Sequence, residues 1–218
     1  MKGLNALLDL LFPPRCPFCD KLLKEGEGPL CVACQKELPW TEGTQGERSL
    51  EFADRCLSPL WYRDGVRSSF HRYKFRGHRD YAGAYGTLMA QCVRDRLEEP
   101  FDLLTYVPLS ARSRRQRGYD QVYLLGKVLS RELGLPLTET LVKTRHTRAQ
   151  SGLEDDGARR ANVLGAYQVR KGAEVAGKRI LLADDIVTTG STLSECARVL
   201  RTAGAAEVVC VTLARARE

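Results

Sequence analysis

The chain has 218 residues, of which 43% are hydrophobic and 28% are charged, a composition typical of one or two globular domains and unlike that of disordered or collagen-like chains. The 34 lysines and arginines outnumber the 27 acidic residues and give a net charge of +7, which favours anionic partners such as phosphates or nucleic acid without distinguishing between them. No apolar run is long enough to cross a bilayer. The nearest approach, residues 4–12, contains Asp9 and ends at Pro13-Pro14, and no small-residue cleavage site follows it, so we expect no secretory signal.

Two closely spaced cysteine pairs mark a small N-terminal module, predicted at residues 1–45. A short amphipathic helix stops at Pro13-Pro14, and two Cys-x-x-Cys pairs follow with eleven residues between them. The four cysteines are Cys16, Cys19, Cys31 and Cys34. Two such pairs can offer four thiolates to one zinc ion at about 2.3 Å, so we predict a structural Zn²⁺ site. A redox-active pair is the alternative, but the strand and helix that flank such pairs in thioredoxin-like units are not indicated by the sequence.

The purpose of this zinc module is left open by the sequence. A segment of about forty residues holds too little apolar core to fold alone, so the metal could serve only as a staple for the fold. It could equally shape a ribbon that contacts nucleic acid or a partner protein.

The remaining four cysteines stand alone in apolar or helical contexts. They are Cys56, Cys92, Cys196 and Cys210. We expect them to be small, reduced core residues, because free cysteine is among the most frequently buried residue types. Reduced cysteines in turn indicate a cytoplasmic protein.

Residues 46–218 are predicted to form one α/β domain that follows a polar linker at Thr41–Arg48. Strands are predicted at Phe52–Tyr62, Asp102–Val107, Arg179–Asp185 and Glu207–Leu213. Helices are predicted at Val66–Phe75, Tyr81–Leu97, Asp120–Leu133 and Ser191–Ala203. Strands that alternate with helices are typical of a mostly parallel sheet covered on both faces. Such sheets bind ligands beyond the carboxyl ends of their strands, which places a candidate site near Val107, Lys143 and Ala183.

The stretch Ile180–Thr192 leads from an apolar strand through two acids into a loop of small residues and then into a helix. Backbone N–H groups at a helix start bind phosphate, and a glycine lets the backbone come close to it. The loop residues predicted to bind a 5-phosphate are Thr188, Thr189, Gly190, Ser191 and Thr192. The carboxylates of Asp184 and Asp185 can accept hydrogen bonds from sugar hydroxyls or help to place a hydrated Mg²⁺ ion. The pattern indicates a ribose 5-phosphate site; a capped helix without a ligand is the alternative, but two adjacent acids after a buried strand are costly for a mere turn.

This stretch resembles the phosphoribosyl-pyrophosphate (PRPP) binding motif of type I phosphoribosyltransferases, in which four apolar residues, two acids and then small residues follow one another. Further motifs, in the same order along nearly the whole chain, are similar to those of the ComF family, which includes ComFC-like and GntX-like proteins. These motifs are the paired cysteines, Lys74–Gly77, Val107–Ser110, Arg117–Gln121, and Arg159 with Asn162 before Gly165–Tyr167. One departure is Asp120, where the family usually has Asn; the added negative charge could weaken diphosphate binding.

The resemblance implies an α/β domain with the type I phosphoribosyltransferase fold and a four-cysteine zinc module at its N-terminus. It makes Asp184 and Asp185 the candidate catalytic residues that hold the ribose hydroxyls, with Mg²⁺ bound together with PRPP. The candidates for diphosphate binding are Ser110, Arg112, Lys74 and Arg76. Arginine suits phosphate oxygens, although the four arginines of residues 111–117 could also form a solvated face. The polar stretch Arg145–Arg160 would be a flexible flap that excludes water from the reaction centre.

Two functions follow from the resemblance. The first is a phosphoribosyltransferase, a glycosyltransferase in which an acceptor displaces diphosphate from C1 of PRPP. Purine-salvage relatives carry an acid where this chain has Thr188, so a purine acceptor is not expected. The alternative is a non-catalytic PRPP-binding accessory protein that engages single-stranded DNA or the competence machinery in natural transformation. The stretch Arg63–Arg79, with five arginines and Lys74 among aromatic residues, suits single-stranded DNA, although those aromatic residues could instead be core.

Overall fold

The structure is a computed structural model that describes residues 13–24, 26–98, 100–145, 147 and 156–217. The helix predicted before Pro13 lies outside the described residues, as does most of the flap predicted at Arg145–Arg160. The strands are β1 (Arg55–Leu57), β2 (Leu60–Trp61), β3 (Leu103–Tyr106), β4 (Leu141–Lys143), β5 (Tyr167–Val169), β6 (Arg179–Ala183), β7 (Ile186–Val187), β8 (Glu207–Val211) and β9 (Ala214–Arg215). The α-helices are α1 (Val32–Glu37), α2 (Asp64–Phe75), α3 (Tyr81–Arg96), α4 (Ala111–Arg117), α5 (Gln121–Leu133), α6 (Asp156–Val163) and α7 (Ser191–Thr202), and a 3₁₀ helix occupies Gly43–Gly46.

A four-stranded parallel sheet in the order β1-β8-β6-β3 forms the centre of the molecule. Leu181 of β6 lies in register between Leu104 of β3 and Val209 of β8. The chain continues from β1, β6 and β8 into β2, β7 and β9, which form a second, shorter parallel sheet, while β4 and β5 pair antiparallel. The predicted mostly parallel α/β architecture is confirmed.

Helices cover both faces of the central sheet. On one face Leu181 packs into a core shared with α3 and α5, and on the other face Leu182 packs into a core shared with α7. The close approach of α3 to α5 depends on Gly86, because a Cβ added there would lie 2.5 Å from the Cβ of Val128. None of the described helices is both long enough and apolar enough to span a membrane.

Most predicted elements are present with slightly different ends, and two predictions need correction. The single strand predicted at Phe52–Tyr62 is divided into β1 and β2, with Ser58 and Pro59 between them; proline has no N–H to donate to a neighbouring strand. The arginine-rich residues 111–117, for which no helix was predicted, form the short helix α4. Its first turn is capped by the Oγ of Ser110, which accepts the N–H of Ser113 at 3.2 Å.

The predicted linker at Thr41–Arg48 is folded against its surroundings. Besides its 3₁₀ turn, it contains Thr41, which is buried and donates from Oγ1 to the carbonyl oxygen of Ser58 at 2.7 Å. Arg96 at the end of α3 donates to the carbonyl oxygen of Thr41 at 3.1 Å. The division of the chain into residues 1–45 and 46–218 stays a prediction.

The first cysteine pair is anchored to helix α2. The carbonyl oxygen of Pro17 accepts hydrogen bonds from Arg72 Nη2 at 2.8 Å and from the hydroxyl of Ser69. Arg72 Nη2 also donates to the carbonyl oxygen of Phe18 at 3.2 Å. The ring of Phe18 packs on that of Tyr85, with the two centroids 5.6 Å apart. The cysteine segment therefore shares the apolar core that lies under α2 and α3.

Candidate functional site

A cavity of about 830 Å³ opens at the carboxyl ends of the strands. Val107 after β3, Lys143 at the end of β4 and Asp184 after β6 all line it, so the three strand ends meet at one place, as the predicted topology requires. Lys74 from α2 and Arg112 from α4 line it as well. The cavity therefore combines acidic groups with several cations.

Hydrogen bonds to both the side chains and the main chain hold the two adjacent acids after β6 in place. Asp184 Oδ1 accepts the N–H of Asp185 at 2.8 Å, and Asp185 Oδ1 accepts the N–H of Ile186 at 2.7 Å. In the main chain, the N–H of Asp184 donates to Val211 at 3.0 Å, and the N–H of Leu213 donates to Asp185 at 2.9 Å. The last residues of the central sheet thus fix both the position and the orientation of the carboxyl groups.

Asp184 lies in an unfavourable electrostatic environment for a carboxylate. It is only 9% exposed, and burial together with the neighbouring charge of Asp185 raises its pKa well above the usual range. The positive charges of Lys74 and Lys143 act in the opposite direction. Lys143 is itself desolvated, which lowers its pKa, and its Nζ lies 5.0 Å from the ring centroid of Tyr167. Hydroxyl donors or a cation brought by a ligand would relieve this cost.

The loop predicted to bind a 5-phosphate faces two cavities. Thr188 and Thr192 line the large cavity, whereas Thr189 and Ser191 line a second one of about 340 Å³ and pair their hydroxyl oxygens at 2.9 Å. Between them, Gly190 caps α7 with φ = 81°. A Cβ there would lie 2.1 Å from a methyl group of Leu50, so this position requires glycine for packing as well as for its conformation.

Three of the four residues predicted to contact diphosphate line the large cavity, and one does not. Ser110, Arg112 and Lys74 line the large cavity. The hydroxyl oxygen of Ser110 also lies 2.9 Å from that of Ser113. Arg76, at the C-terminal cap of α2, is exposed and lies outside the set of described residues that line the cavity.

Asp120 serves as the N-cap of α5. Its Oδ1 accepts the N–H of Tyr123 at 3.1 Å, and its Oδ2 lies 3.4 Å from Nη2 of Arg114. Both Asp and Asn are favoured at an N-cap, which explains why this chain can carry Asp where the family has Asn. The negative charge of Asp120, which was expected to disturb a diphosphate site, is paired with the guanidinium group of Arg114.

Sequence reasoning assigned no chemistry to several residues that line the cavity, among them Gln121, Tyr62 and Tyr167. The most informative is Gln121, whose Nε2 donates to Asp185 Oδ2 at 3.2 Å. Its place in the Arg117–Gln121 motif was the available signal. The contact joins residues 64 positions apart in the chain, so no local pattern could have shown it.

The four N-terminal cysteines form the candidate metal centre. Their Sγ atoms all lie within 4.8 Å of one another, and the Sγ atoms of Cys19 and Cys31 are 3.5 Å apart. Four sulfurs bound tetrahedrally at about 2.3 Å from zinc lie about 3.8 Å apart, so the cluster fits a structural Zn²⁺ ion. This is the one group of potential ligands that the described residues bring together in this way.

The protonation of these thiols is consistent with a bound cation. Burial raises the pKa of Cys34 and of Cys19. Burial also acts on Cys16, but the backbone N–H groups of Cys31, Cys19 and Phe18 outweigh it and lower the pKa of Cys16 to about 7. The thiolate of Cys16 is thus favoured by the backbone, while the thiols of Cys19 and Cys34 need a nearby positive charge to ionise.

The remaining four cysteines are free and buried. Burial raises the pKa of Cys56 to about 12 and that of Cys92 to about 11, and it also raises the pKa values of Cys196 and Cys210. They are unreactive core residues, as predicted.

Two family profiles match the chain. The phosphoribosyl transferase domain matches residues 123–218, which contain the two acids and the loop before α7. The double zinc ribbon domain matches residues 7–46, which contain the four clustered cysteines. The type I phosphoribosyltransferase fold and the N-terminal zinc ribbon expected from the sequence are confirmed.

Several known proteins are similar to the chain over most of its length. Competence protein F of Haemophilus influenzae is 31% identical over 224 residues, which cover 93% of this chain and 97% of that protein. DNA utilization protein YhgH of Escherichia coli is 32% identical over 201 residues, 88% of this chain and 80% of that protein. Competence protein ComFC of Bacillus subtilis is 27% identical over 155 residues, 71% of this chain and 61% of that protein.

Solved structures show weaker similarity. An adenine phosphoribosyltransferase from Thermoanaerobacter pseudethanolicus has a TM-score of 0.41 and 16% identity, over 64% of this chain and 83% of that one. The allosteric regulatory enzyme of purine biosynthesis has a TM-score of 0.43 and 23% identity, over 65% of this chain and 29% of that one.

We expect replacement of Cys16 and Cys31 by Ser to release zinc. Because the cysteine segment shares its core with α2 and α3, the melting temperature should fall by about 5 °C or more. Metal content by mass spectrometry and a thermal melt measure the two effects. Cys92→Ser is the matched control, since this buried cysteine lies outside the cluster and its loss should leave the zinc content unchanged. Unchanged zinc in the double variant would contradict the assignment.

The raised pKa of Asp184 predicts how stability depends on pH. Because the folded state binds this proton more tightly than the unfolded state, Asp184 lowers stability progressively as pH rises from its unfolded value of about 4 through its folded value. Asp184→Asn removes this charge and should melt at a higher temperature than the wild type, by a margin that grows over this pH range. Melting curves without ligand measure the margin, with the exposed Asp95→Asn as control. Parallel pH profiles for wild type and Asp184→Asn would contradict the prediction.

Proposed function

Because the chain belongs to the ComF family of proteins with a phosphoribosyltransferase domain and an N-terminal zinc ribbon, we propose that it binds PRPP with Mg²⁺ and transfers the phosphoribosyl group to an acceptor. One observation carries the proposal: the oriented Asp184–Asp185 pair shares a cavity with hydroxyl groups on one loop and with cations on other elements. A cavity that offers hydrogen-bond donors to a phosphate and carboxylate acceptors to vicinal hydroxyl groups suits ribose 5-phosphate.

In this proposal each part of PRPP meets a different element. The ribose hydroxyls donate to the two carboxylates after β6. The 5-phosphate accepts hydrogen bonds from the loop before α7, where Thr188 and Thr192 line the cavity. The diphosphate is bound on the side of α2 and α4. The residues proposed there are Ser110, Arg112 and Lys74; Arg76, also predicted from the sequence, lies outside the cavity lining.

The reaction proposed is substitution at C1 of the ribose. The bond from C1 to the diphosphate oxygen breaks with its electron pair on the leaving group, a lone pair of the acceptor forms the new bond to C1, and the acceptor proton passes to solvent. Mg²⁺ bound with PRPP would supply charge neutralisation on the diphosphate. The chain's own contribution is to orient the ribose through Asp184 and Asp185 and to stabilise the negative charge that develops on the leaving group.

A second candidate function is an accessory role in which PRPP binding accompanies contact with single-stranded DNA or competence proteins. One observation favours it: Phe75 is 61% exposed at the rim of the cavity. Lys74 Nζ and Arg117 Cζ lie 5.9 and 5.6 Å from its ring centroid. An exposed ring between cations suits a stacked base and its phosphate.

The buried free cysteines support the proposed cytoplasmic location.

We expect Mg-PRPP to bind the wild type in a calorimetric titration. Asp184→Asn/Asp185→Asn should weaken binding about 100-fold or more, because two charge-assisted hydrogen bonds to the ribose are lost. The exposed Asp95→Asn is the control and should bind as the wild type does. Release of diphosphate with any acceptor would make the protein an enzyme, whereas binding without release would favour the accessory role. A wild type that does not bind PRPP would refute both.

If the accessory role includes DNA, a single-stranded oligonucleotide should bind with an affinity that falls steeply with salt. Phe75→Ala should weaken binding about tenfold, through loss of base stacking. Fluorescence anisotropy measures both effects. Phe52→Ala is the matched control, since Phe52 is also exposed, to 45%, but faces the smaller cavity. Binding that is absent, or equal in the two variants, would argue against a DNA site at the rim.

A further inference from the structure

Gln121 is a polar residue at a buried position, and packing alone does not explain why an amide is found there. It is the first residue of α5 and only 1% exposed, yet it lines the large cavity. Its main-chain carbonyl oxygen accepts a hydrogen bond from the hydroxyl of Tyr73 at 2.7 Å, so its main chain is fixed by α2 as well as by its own helix. A buried glutamine amide needs partners for both its oxygen and its nitrogen.

Only one end of that amide has a partner. Nε2 donates to Asp185 Oδ2 at 3.2 Å, whereas Oε1 is buried and has no hydrogen-bond partner within the described part of the chain. The amide cannot be turned over, because Oε1 would then face a carboxylate oxygen and two acceptors would repel each other. The carboxylate of Asp185 therefore determines the orientation of the amide, at the cost of an unpaired acceptor.

The same contact determines the orientation of Asp185. Its Oδ1 is bound by the N–H of Ile186 and its Oδ2 by Gln121, so rotation of the carboxyl group would break one of the two bonds. Asp184, by contrast, receives its hydrogen bond from the neighbouring N–H of Asp185. Gln121 is thus a side-chain donor from a different element that fixes Asp185.

We infer that Gln121 is a positioning residue for the ribose site: it holds Asp185 in the rotamer that accepts a hydroxyl of the pentose. This inference rests on the proposed function. It explains why an amide rather than an apolar side chain fills a buried position whose oxygen is unpaired. An apolar residue of the same shape would remove the unpaired acceptor but would free the carboxylate to rotate.

The test is Gln121→Met, which keeps the length of the side chain and removes the donor. We expect the affinity for Mg-PRPP to fall about tenfold or more, the contribution of one hydrogen bond to a charged group, while the melting temperature stays the same or rises. Gln91→Met is the matched control, because Gln91 Nε2 also donates to a carboxylate, Asp95 Oδ1 at 2.6 Å, but on an exposed face. It should bind PRPP as the wild type does.

A double-mutant cycle separates positioning from general packing. If Gln121 acts through Asp185, then Asp185→Asn combined with Gln121→Met should bind no more weakly than Asp185→Asn alone. Additive losses, or an unchanged affinity in Gln121→Met, would overturn the inference while leaving PRPP binding by the wild type intact. A wild type that fails to bind PRPP would instead refute the proposed function, and this inference with it.

Discussion

The carboxylate of Asp184, buried at the end of an apolar strand, is the constraint around which the site is built. The last four residues of β6 are buried, and the N–H of Asp184 is still bonded to β8, so the chain cannot carry the acid out to solvent. The charge must be offset by groups from elsewhere: the N–H of Asp185, and the cations of Lys74 on α2 and Lys143 on β4. Groups from several elements therefore converge on the buried Asp184 at one cavity.

Helix α2 connects this cavity to the cysteine cluster. Its middle part holds the first cysteine pair through Ser69 and Arg72. Its C-terminal part supplies Lys74 and Phe75 to the cavity. The hydroxyl of the preceding residue, Tyr73, donates to the main-chain carbonyl oxygen of Gln121. Loss of the cysteine segment would uncover the face of α2 and α3 on which Phe18 packs. The cysteine cluster and the acid pair are thus connected through the same helix.

The sequence predicted those features that depend on neighbouring residues. Long apolar strands, amphipathic helices and the acid pair followed by small residues were readable because their patterns are local. A strand end was expected near Lys143, but β4 itself was given no bounds and β5 was missed, because three residues show no periodicity. Helix α4 was missed because its seven residues include four arginines and show no apolar periodicity. The contacts of Gln121 with Asp185 and of Leu50 with Gly190 join distant parts of the chain, so only the fold brings them together.

In the proposed function, binding and turnover require different parts of this cavity. The β6–α7 side, with its two acids and small loop residues, would bind ribose and its 5-phosphate. Its geometry is constrained by the close approach of Leu50 to Gly190 and by the hydrogen bond of Gln121 to Asp185. An acceptor must approach C1 from a side not occupied by this frame. The described residues that border the remaining space include Phe75 and Arg117, an aromatic ring beside a planar cation. Under the proposed function, substitution of Phe75 at this rim should therefore leave the recognition of the sugar by the acid pair and the loop before α7 intact.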